Sequence, residues 1–307
     1  MRLSETTAVT LGYAAMCLIW SSTWIVIKLG LQGAPPMTAV ALRFIIAGSL
    51  VLFIIRLRRI RIPTTRDFAR LGLFLSIFHI GLPYVLVYWC EQYVSSGLTA
   101  VLYSTVPINV AIFGRLLLGD PLTPRKVAGI LVGFAGVAVI FSDHLSFGGN
   151  EALLGITACL ASALCAGLSS VVIKKYAFNY HPFVMLAATF TIGGTLVAAA
   201  AVPVEASDPL RFSVGTWGTI LYLAVLGSVV AFAIYFWVIK RIDVTVLSYQ
   251  NFIIPVLAVV MGWIFLGEKI TMRVAIGAVG IVAGIALATL RTRLGAITTR
   301  LEHDART

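Results

Sequence analysis

The sequence predicts an all-α integral membrane protein with ten transmembrane helices, arranged as two inverted five-helix repeats. Three observations predict this fold: an apolar composition, apolar runs of membrane-crossing length, and an internal repeat. Of the 307 residues, 60% are hydrophobic and only 11% are charged, and the mean hydropathy is +1.00. Soluble domains keep about a quarter of their residues charged. Lipid is therefore expected to be the solvent for most of this surface.

The apolar runs are long enough to cross a bilayer. Each holds roughly 18–25 residues, and about 20 residues at 1.5 Å per residue cross the hydrocarbon core. The ten predicted segments are Val9–Leu29, Pro36–Ile55, Arg70–Cys90, Ser96–Leu118, Arg125–Ser142, Ala152–Ile173, Pro182–Val202, Val214–Ile239, Asp243–Leu266 and Met272–Leu290. Short connectors rich in glycine and proline separate them, so no soluble domain is predicted between spans.

The distribution of positive charge predicts an orientation. The net charge is +11, and most of the 23 Lys and Arg residues fall in connectors that share one side if the N-terminus is cytoplasmic. Such a bias places both termini inside the cell. It also explains the basic composition without a nucleic-acid partner, because the cations lie in short loops beside membrane segments.

The second half of the chain repeats the first. At a shift of 148 residues Tyr84 aligns with Phe232, Trp89 with Trp237, Pro107 with Pro255, Gly129 with Gly277 and Gly136 with Gly284; at 146, Lys28 aligns with Lys174, Phe44 with Phe190 and Gly48 with Gly194. Five spans per unit force the second copy to insert upside down, and inverted repeats place a binding site where the halves meet. The predicted units are residues 1–146 and 147–292, followed by a cytoplasmic tail, 293–307.

Certain motifs resemble those of a known family. They are Trp20-Ser21-Ser22-Thr23-Trp24 leading to Lys28, Ala41-Leu42-Arg43-Phe44, and the twin patterns Pro107…Leu118-Gly119-Asp120 and Pro255…Leu266-Gly267-Glu268. Over residues 10–290 the chain resembles EamA-type members of the drug/metabolite transporter superfamily. This resemblance implies ten spans, transport of amino acids, drugs or other metabolites, a cavity between spans 1, 3, 4, 6, 8 and 9, and a bacterial inner membrane location.

The candidate substrate-binding residues are one histidine, a group of aromatic residues and a few uncharged polar residues. His79 is expected near the membrane midplane, where an ionisable group usually faces a cavity or a partner; it titrates at physiological pH unless perturbed. The alternative is a neutral histidine bonded to a neighbouring helix. The full set is His79, Trp20, Trp24, Tyr84, Tyr103, Asn109, Tyr235, Tyr249 and Gln250. Tyr and Trp suit amphipathic substrates, although an interfacial aromatic belt is the rival interpretation.

Candidate gating residues are two prolines and three charged residues. Pro107 and Pro255 are predicted to interrupt spans 4 and 9 at equivalent positions, freeing backbone carbonyls for a ligand. Lys28, Arg43 and Glu91 are expected near the outer ends of spans 1–3. There the cations could snorkel to headgroups or form an ion pair with Glu91. A third alternative is that they receive a substrate carboxylate or phosphate.

These features predict a secondary transporter and not an enzyme. The expected activity is export of small organic metabolites such as amino acids by alternating access. Multidrug or organic-solute efflux and organic-anion exchange are alternatives, and a lipid-modifying enzyme is the competing class. That class would require clustered catalytic groups, and the sequence has none. The phosphate-binding motif G-x-x-x-x-G-K-[ST] is absent. We expect no cofactor and no metal, a monomer, and a small-molecule substrate and the lipid bilayer as partners.

Overall fold

The computed structural model describes residues 4–94, 99, 102–140, 149–206, 212–266, 272–273 and 275–288, and the regular structure within these ranges is helical. The helices are α1 (Glu5–Gly30), α2 (Pro36–Leu57), α3 (Arg66–Leu75), α4 (Leu82–Tyr93), α5 (Val106–Leu117), α6 (Pro124–Ile140), α7 (Gly149–Tyr176), α8 (Pro182–Val204), α9 (Val214–Ala224), α10 (Ala231–Val238), α11 (Val244–Ser248), α12 (Gln250–Leu266) and α13 (Ala275–Ala288). One turn of π-helix joins α3 to α4 (Ser76–Gly81) and another joins α9 to α10 (Val225–Val230).

Many of these helices are long enough to cross a membrane. In the described part of the chain, six helical stretches have the necessary length and apolar composition: Glu5–Gly30, Pro36–Leu57, Arg66–Tyr93, Glu151–Tyr176, Pro182–Val204 and Val214–Val238. The shorter apolar helices are Val106–Leu117, Val244–Leu257 and Ala275–Ala288. An all-α, multi-pass membrane architecture is thereby confirmed, and ten spans stay a prediction.

Some sequence-based boundaries lie outside the described residues. These are the division between units at 146/147, the tail 293–307, and the Gly267-Glu268 turn. The same holds for parts of the predicted fourth, fifth and tenth segments.

The helices begin where local chemistry favours a start. The hydroxyl oxygens of Ser4, Thr65 and Ser213 accept hydrogen bonds from backbone N–H groups in the first turns of α1, α3 and α9. Such N-caps each satisfy a donor that has no partner within the helix. Pro36 and Pro182 are the first residues of α2 and α8, where the missing proline N–H is not needed.

The two π-helical turns occupy nearly the same place in each half. Ser76–Gly81 interrupts the third span, and Val225–Val230 interrupts the eighth. In the second of them the Ser228 hydroxyl donates a hydrogen bond to the carbonyl of Leu223, five residues earlier, at 2.9 Å. A π-turn releases backbone groups from the regular ladder and is often found at functional sites. The first turn carries His79, which lines the central cavity described below. The second carries Gly227 and Ser228, which accept hydrogen bonds from the lining residues Trp20 and Arg43.

Two glycines allow α2 and α8 to cross in backbone contact. A Cβ atom placed on Gly48 would lie 2.9 Å from the backbone nitrogen of Thr191, and one on Gly194 would lie 2.9 Å from that of Ile45. Small residues at a crossing permit this approach in membranes. At the repeat shift of 146 residues, Gly48 corresponds to Gly194 and Ile45 corresponds to Thr191. The two contacts are thus equivalent under the internal repeat.

The same exchange occurs where α6 meets α13. The Cβ position of Gly129 is close to the carbonyl oxygen of Gly284 at 2.5 Å, and that of Gly136 is 2.7 Å from the carbonyl oxygen of Gly277. At the repeat shift of 148 residues, Gly129 corresponds to Gly277 and Gly136 to Gly284, so these two contacts are equivalent as well. Small residues at these positions let the two helices pack with their backbones in contact.

Helices of the two halves interlock. α1 packs against α9, α10 and α12, which are the eighth and ninth predicted spans. Its counterpart α7 packs in the same way against α4 and α5, which belong to the third and fourth. These reciprocal contacts enclose a cavity between the halves.

Candidate functional site

A cavity of about 110 Å³ lies between the two halves. That volume is near the roughly 150 Å³ of an engineered protein cavity that binds benzene, so it suits a small organic molecule. The lining residues are Trp20, Thr23, Trp24, Ile27, Arg43, His79, Pro83, Tyr84, Val87, Tyr103, Val106, Ala166, Ser170, Phe232, Tyr235, Gln250, Asn251, Ile254 and Pro255. They come from predicted spans 1, 3, 4, 6, 8 and 9, as the resemblance implies, and also from span 2 through Arg43.

Aromatic rings form much of the wall. Trp20 contacts Phe232 and Tyr235, with ring centroids 5.2 and 5.8 Å apart, and Trp24 contacts Tyr103 at 5.8 Å. Edge-to-face and tilted contacts at these distances are favourable. The rings also join residues from opposite halves of the chain. Trp20 and Trp24 face the cavity from one side of α1, as their spacing of one helical turn predicts.

His79 lies on the first π-turn and is buried. Its Nδ1 is 3.0 Å from the Ser169 hydroxyl, and that hydroxyl donates to the Ala166 carbonyl at 3.2 Å. Which of the two atoms donates depends on the tautomer of the imidazole. Within the described residues the buried Nε2 has no hydrogen-bond partner. His79 therefore lines the cavity with one ring nitrogen bonded and the other unpaired.

Arg43 does not behave as a snorkelling residue. Only 1% of it is exposed, and it has no carboxylate partner within 4 Å in the described part of the chain. The expectation that it snorkels to headgroups or pairs with Glu91 is wrong, because the face of α2 that carries Arg43 packs against α4, α8, α9 and the second π-turn, which enclose the side chain. The guanidinium donates to the Ser228 hydroxyl, the Gly227 carbonyl and the Tyr88 hydroxyl at 2.9, 3.2 and 3.3 Å.

Other polar groups are fixed around the cavity. The indole N–H of Trp20 donates to the carbonyl oxygen of Gly227 at 3.1 Å. The hydroxyl of Tyr235 donates to that of Ser170 at 2.9 Å. The amide oxygen of Gln250 is buried and, among the described residues, has no hydrogen-bond partner. Gln250 and His79 thus each bring a buried polar atom without a hydrogen-bond partner to a cavity whose wall is largely aromatic and apolar.

The structure brings most of the candidate residues together. His79, Trp20, Trp24, Tyr84, Tyr103, Tyr235, Gln250, Arg43 and Pro255 line the cavity. Asn109, Tyr249, Pro107, Lys28 and Glu91 do not.

The residues outside the cavity make other contacts. Asn109 packs against Gly167 of α7, and Tyr249 stacks on Phe252. Lys28 is exposed, whereas Glu91 is only 2% exposed, and its carboxylate oxygens have no hydrogen-bond partner in the described part of the chain. Glu91 is therefore a buried acid that stands apart from the cavity.

The helix breaks in spans 4 and 9 are not equivalent. Span 4 is interrupted at Ser104–Thr105, and Pro107 lies in the first turn of α5. Span 9 is interrupted at Tyr249, whereas Pro255 lies inside α12. The prediction that both prolines break their helices at matching positions is therefore wrong. A proline within a helix still leaves the carbonyl four residues earlier without its donor, and for Pro255 that carbonyl belongs to Asn251 in the cavity wall.

Some lining residues were missed although a signal for them was present. Under the shifts of 146 and 148, six lining residues align with six others: Trp20 with Ala166, Trp24 with Ser170, Tyr84 with Phe232, Val87 with Tyr235, Tyr103 with Asn251, and Val106 with Ile254. Selection by aromatic or polar type favours the larger member of each pair, so smaller or apolar counterparts such as Ala166, Val87 and Ile254 were not selected. The π-turns had no sequence signal, and with them the roles of Gly227 and Ser228 were missed.

Comparison with known proteins agrees with this geometry. The EamA-like transporter family matches residues 7–142 and again 153–290. The uncharacterized transporter YoaV of Bacillus subtilis is 28% identical over 279 residues, covering 90% of this chain and 95% of YoaV. The uncharacterized inner membrane transporter YedA of Escherichia coli K12 is 29% identical over 261 residues, covering 84% and 82%.

A solved crystal structure of another protein shares the fold. The TM-score is 0.78 at 22% sequence identity, and the match covers 94% of this chain and 98% of the other. The family model covers nearly the whole chain in two consecutive copies. The resemblance inferred from the sequence motifs is confirmed: this chain belongs to the EamA-like transporter family and is a multi-pass membrane transporter.

Proposed function

We propose that the chain is a secondary carrier that exports small organic metabolites such as amino acids. The cavity shared by both halves is the observation that carries this proposal. Its aromatic walls suit an apolar body, while Arg43, His79 and Gln250 can orient polar groups. Pockets with mostly apolar walls and a few placed polar groups are typical binding sites for small molecules.

Transport would proceed by alternating access of two inverted five-helix halves. The reciprocal glycine contacts of α2 with α8 and of α6 with α13 support this arrangement, because a two-fold axis in the membrane plane exchanges equivalent contacts. The twelve aligned lining residues support a site on that axis. Rocking one half against the other would then open the cavity to each side in turn.

The proposed setting is a bacterial inner membrane, with ten spans and both termini in the cytoplasm. The excess of basic residues in one set of connectors supports this orientation. Reporter fusions at each terminus and in successive connectors would test it. A terminus exposed outside the cell, or fusions that fit fewer than ten crossings, would contradict the proposed topology.

Transport in proteoliposomes tests the activity directly. Purified protein would be reconstituted, and movement of radiolabelled amino acids measured with and without a pH gradient. We expect saturable movement that exceeds that of empty liposomes. If neither amino acids nor other amphipathic metabolites moved in either condition, the proposed carrier function would be refuted. Dependence on the pH gradient would identify proton coupling, and its absence would identify facilitated diffusion or exchange.

A further inference from the structure

Arg43 places a full positive charge in the cavity wall. It lies two helical turns inside α2, is 1% exposed, and contacts the cavity directly. Burying a charge is costly unless a partner compensates it, and ionisable residues within membrane spans usually serve a transport pathway. A buried charge of this kind is expected to have a partner of opposite charge.

Within the described residues the protein supplies no such counter-charge. The ion pair found there joins Arg241 to Glu5 on the surface, at 3.4 Å. The lining residues include no Asp or Glu. The buried acid Glu91 does not line the cavity. Arg43 is therefore the one Lys, Arg, Asp or Glu residue in the described lining, and low-dielectric walls strengthen the field of its charge.

The guanidinium is held in place by neutral groups. Ser228, Gly227 and Tyr88 accept one hydrogen bond each, from Nε, Nη2 and Nη1 respectively. The rings of Phe44 and Tyr84 lie beside the charge, with Cζ at 5.0 and 4.8 Å from their centroids. Arginine has five N–H donors, so these bonds leave one on each terminal nitrogen. A carboxylate that accepts both would form a bidentate pair.

We propose that Arg43 binds the carboxylate of the transported substrate, so that the cavity accepts organic anions and zwitterions and rejects organic cations. This deepens the carrier function proposed above and rests on it. The apolar body of the substrate packs against Trp20 and Phe232. An amino or hydroxyl group of the substrate lies beside the polar side chains of His79 and Gln250, which line the same cavity. An organic cation without a carboxylate adds a second positive charge and finds no acidic partner in the lining.

Matched ligands that keep one apolar side chain and vary the carboxylate and the amine test this selectivity on the unaltered protein. One set is leucine, 4-methylpentanoate, leucinamide and isopentylamine, and a second is phenylalanine, 3-phenylpropionate, phenylalaninamide and phenethylamine. Binding would be measured by calorimetry in detergent and transport by counterflow in proteoliposomes. We expect leucine or phenylalanine, together with its deaminated acid, to bind at least about tenfold more tightly than the matched amide and amine, since hydrogen bonds to charged groups have this magnitude.

Variants assign the selectivity to Arg43. Arg43→Gln should weaken binding of the carboxylates by about 10- to 100-fold and remove the preference over the amides. Arg43→Lys keeps a cation but loses the bidentate fork, so a partial preference should remain. Arg56→Gln, on the exposed end of the same helix, is the matched control and should leave all affinities unchanged. If Arg43→Gln does not fold, the ligand series on the unaltered protein decides alone.

The outcomes separate this inference from the carrier function. If amines or amides bind and move as well as the carboxylates, the chain is still a carrier, but the carboxylate assignment is overturned. The assignment is also overturned if folded Arg43→Gln keeps full carboxylate affinity and selectivity. If no probe of any charge binds or moves, the proposed carrier of amino acids and the inference both fail.

Discussion

The crossing of α2 and α8 provides the most quantitative test of the fold. Replacing Gly48 or Gly194 by alanine puts a Cβ atom 2.9 Å from a backbone nitrogen of the other helix, whereas ordinary contacts begin near 3.4 Å. The helices must separate by about half an ångström, and overpacking of this kind costs about 1–3 kcal/mol. Alanine recovers about 0.5–1 kcal/mol of that through its better helix propensity. The net destabilisation should therefore lie between about 0 and 2.5 kcal/mol.

The matched control is Gly218→Ala. A Cβ on Gly218 meets no atom within 4 Å, so this change gains helix propensity without a clash. Relative to this control, each crossing variant should lose about 1–3 kcal/mol. For domains of 150–250 residues each kcal/mol shifts Tm by about 2–4 °C. Thermal unfolding of the purified protein in detergent would rank the three variants.

Equal effects at the two crossing positions are part of the prediction. The added atoms meet equivalent backbone nitrogens, those of Thr191 and Ile45, at 2.9 Å. The Gly48 Cβ would also lie 2.6 Å from Thr191 Oγ1, but a side-chain rotation can relieve that contact. A large loss for Gly48→Ala with none for Gly194→Ala would contradict the equivalence of the halves. If both variants were as stable as Gly218→Ala, the close approach itself would be refuted.

Three further substitutions examine the cavity. Trp20→Phe keeps an aromatic ring but removes the donor to the Gly227 carbonyl; we expect about 0.5–1.5 kcal/mol lower stability in thermal unfolding, and an unchanged Tm would show that this hydrogen bond contributes nothing. His79→Ala should slow transport in proteoliposomes and alter its pH dependence, and an unchanged rate and pH profile would leave His79 a structural role only. Pro255→Ala restores a backbone donor to the Asn251 carbonyl and should slow transport with little change in Tm; unchanged transport would exclude a role for that free carbonyl.

The spans and the shared cavity could be predicted because they depend on simple patterns. Lipid demands long apolar helices, and the proline and capping residues that begin α2, α8 and α9 are visible in the sequence. Residue type also selected residues that line the cavity, such as Trp20 and Tyr84. It selected Asn109 and Tyr249 as well, which do not line it, because residue type alone does not say which side of a helix faces the cavity.

The environment of Arg43 could not be predicted for a different reason. Its depth along the sequence is compatible with snorkelling, and only packing of α2 within the bundle excludes it. Its partners Gly227 and Ser228 lie 184 and 185 residues away on a π-turn. A π-turn differs from an α-helix by one inserted residue and has no composition of its own. Contacts that depend on such a turn emerge only from the three-dimensional arrangement.

The proposed inverted repeat gives a reason for the asymmetry of the cavity. Near the proposed two-fold axis each residue would approach its own counterpart, as Tyr84 and Phe232 do with ring centroids 6.4 Å apart. Two large side chains at every such pair would fill the space that a substrate needs. Accordingly, Trp20 aligns with Ala166, and His79 aligns with Gly227.

Gly227, the small member of the pair with His79, also exposes its backbone carbonyl. Because Gly227 has no side chain, its carbonyl can be reached by Trp20 and by Arg43, at 3.1 and 3.2 Å. At this pair the second half thus provides space and a backbone acceptor for large and charged groups of the first half. If this division is functional, exchanging Trp20 with Ala166 in a double variant should retain more transport than Trp20→Ala alone, because the total volume near the axis is preserved. Equal loss in the two variants would show that the individual side-chain positions matter and not the shared volume.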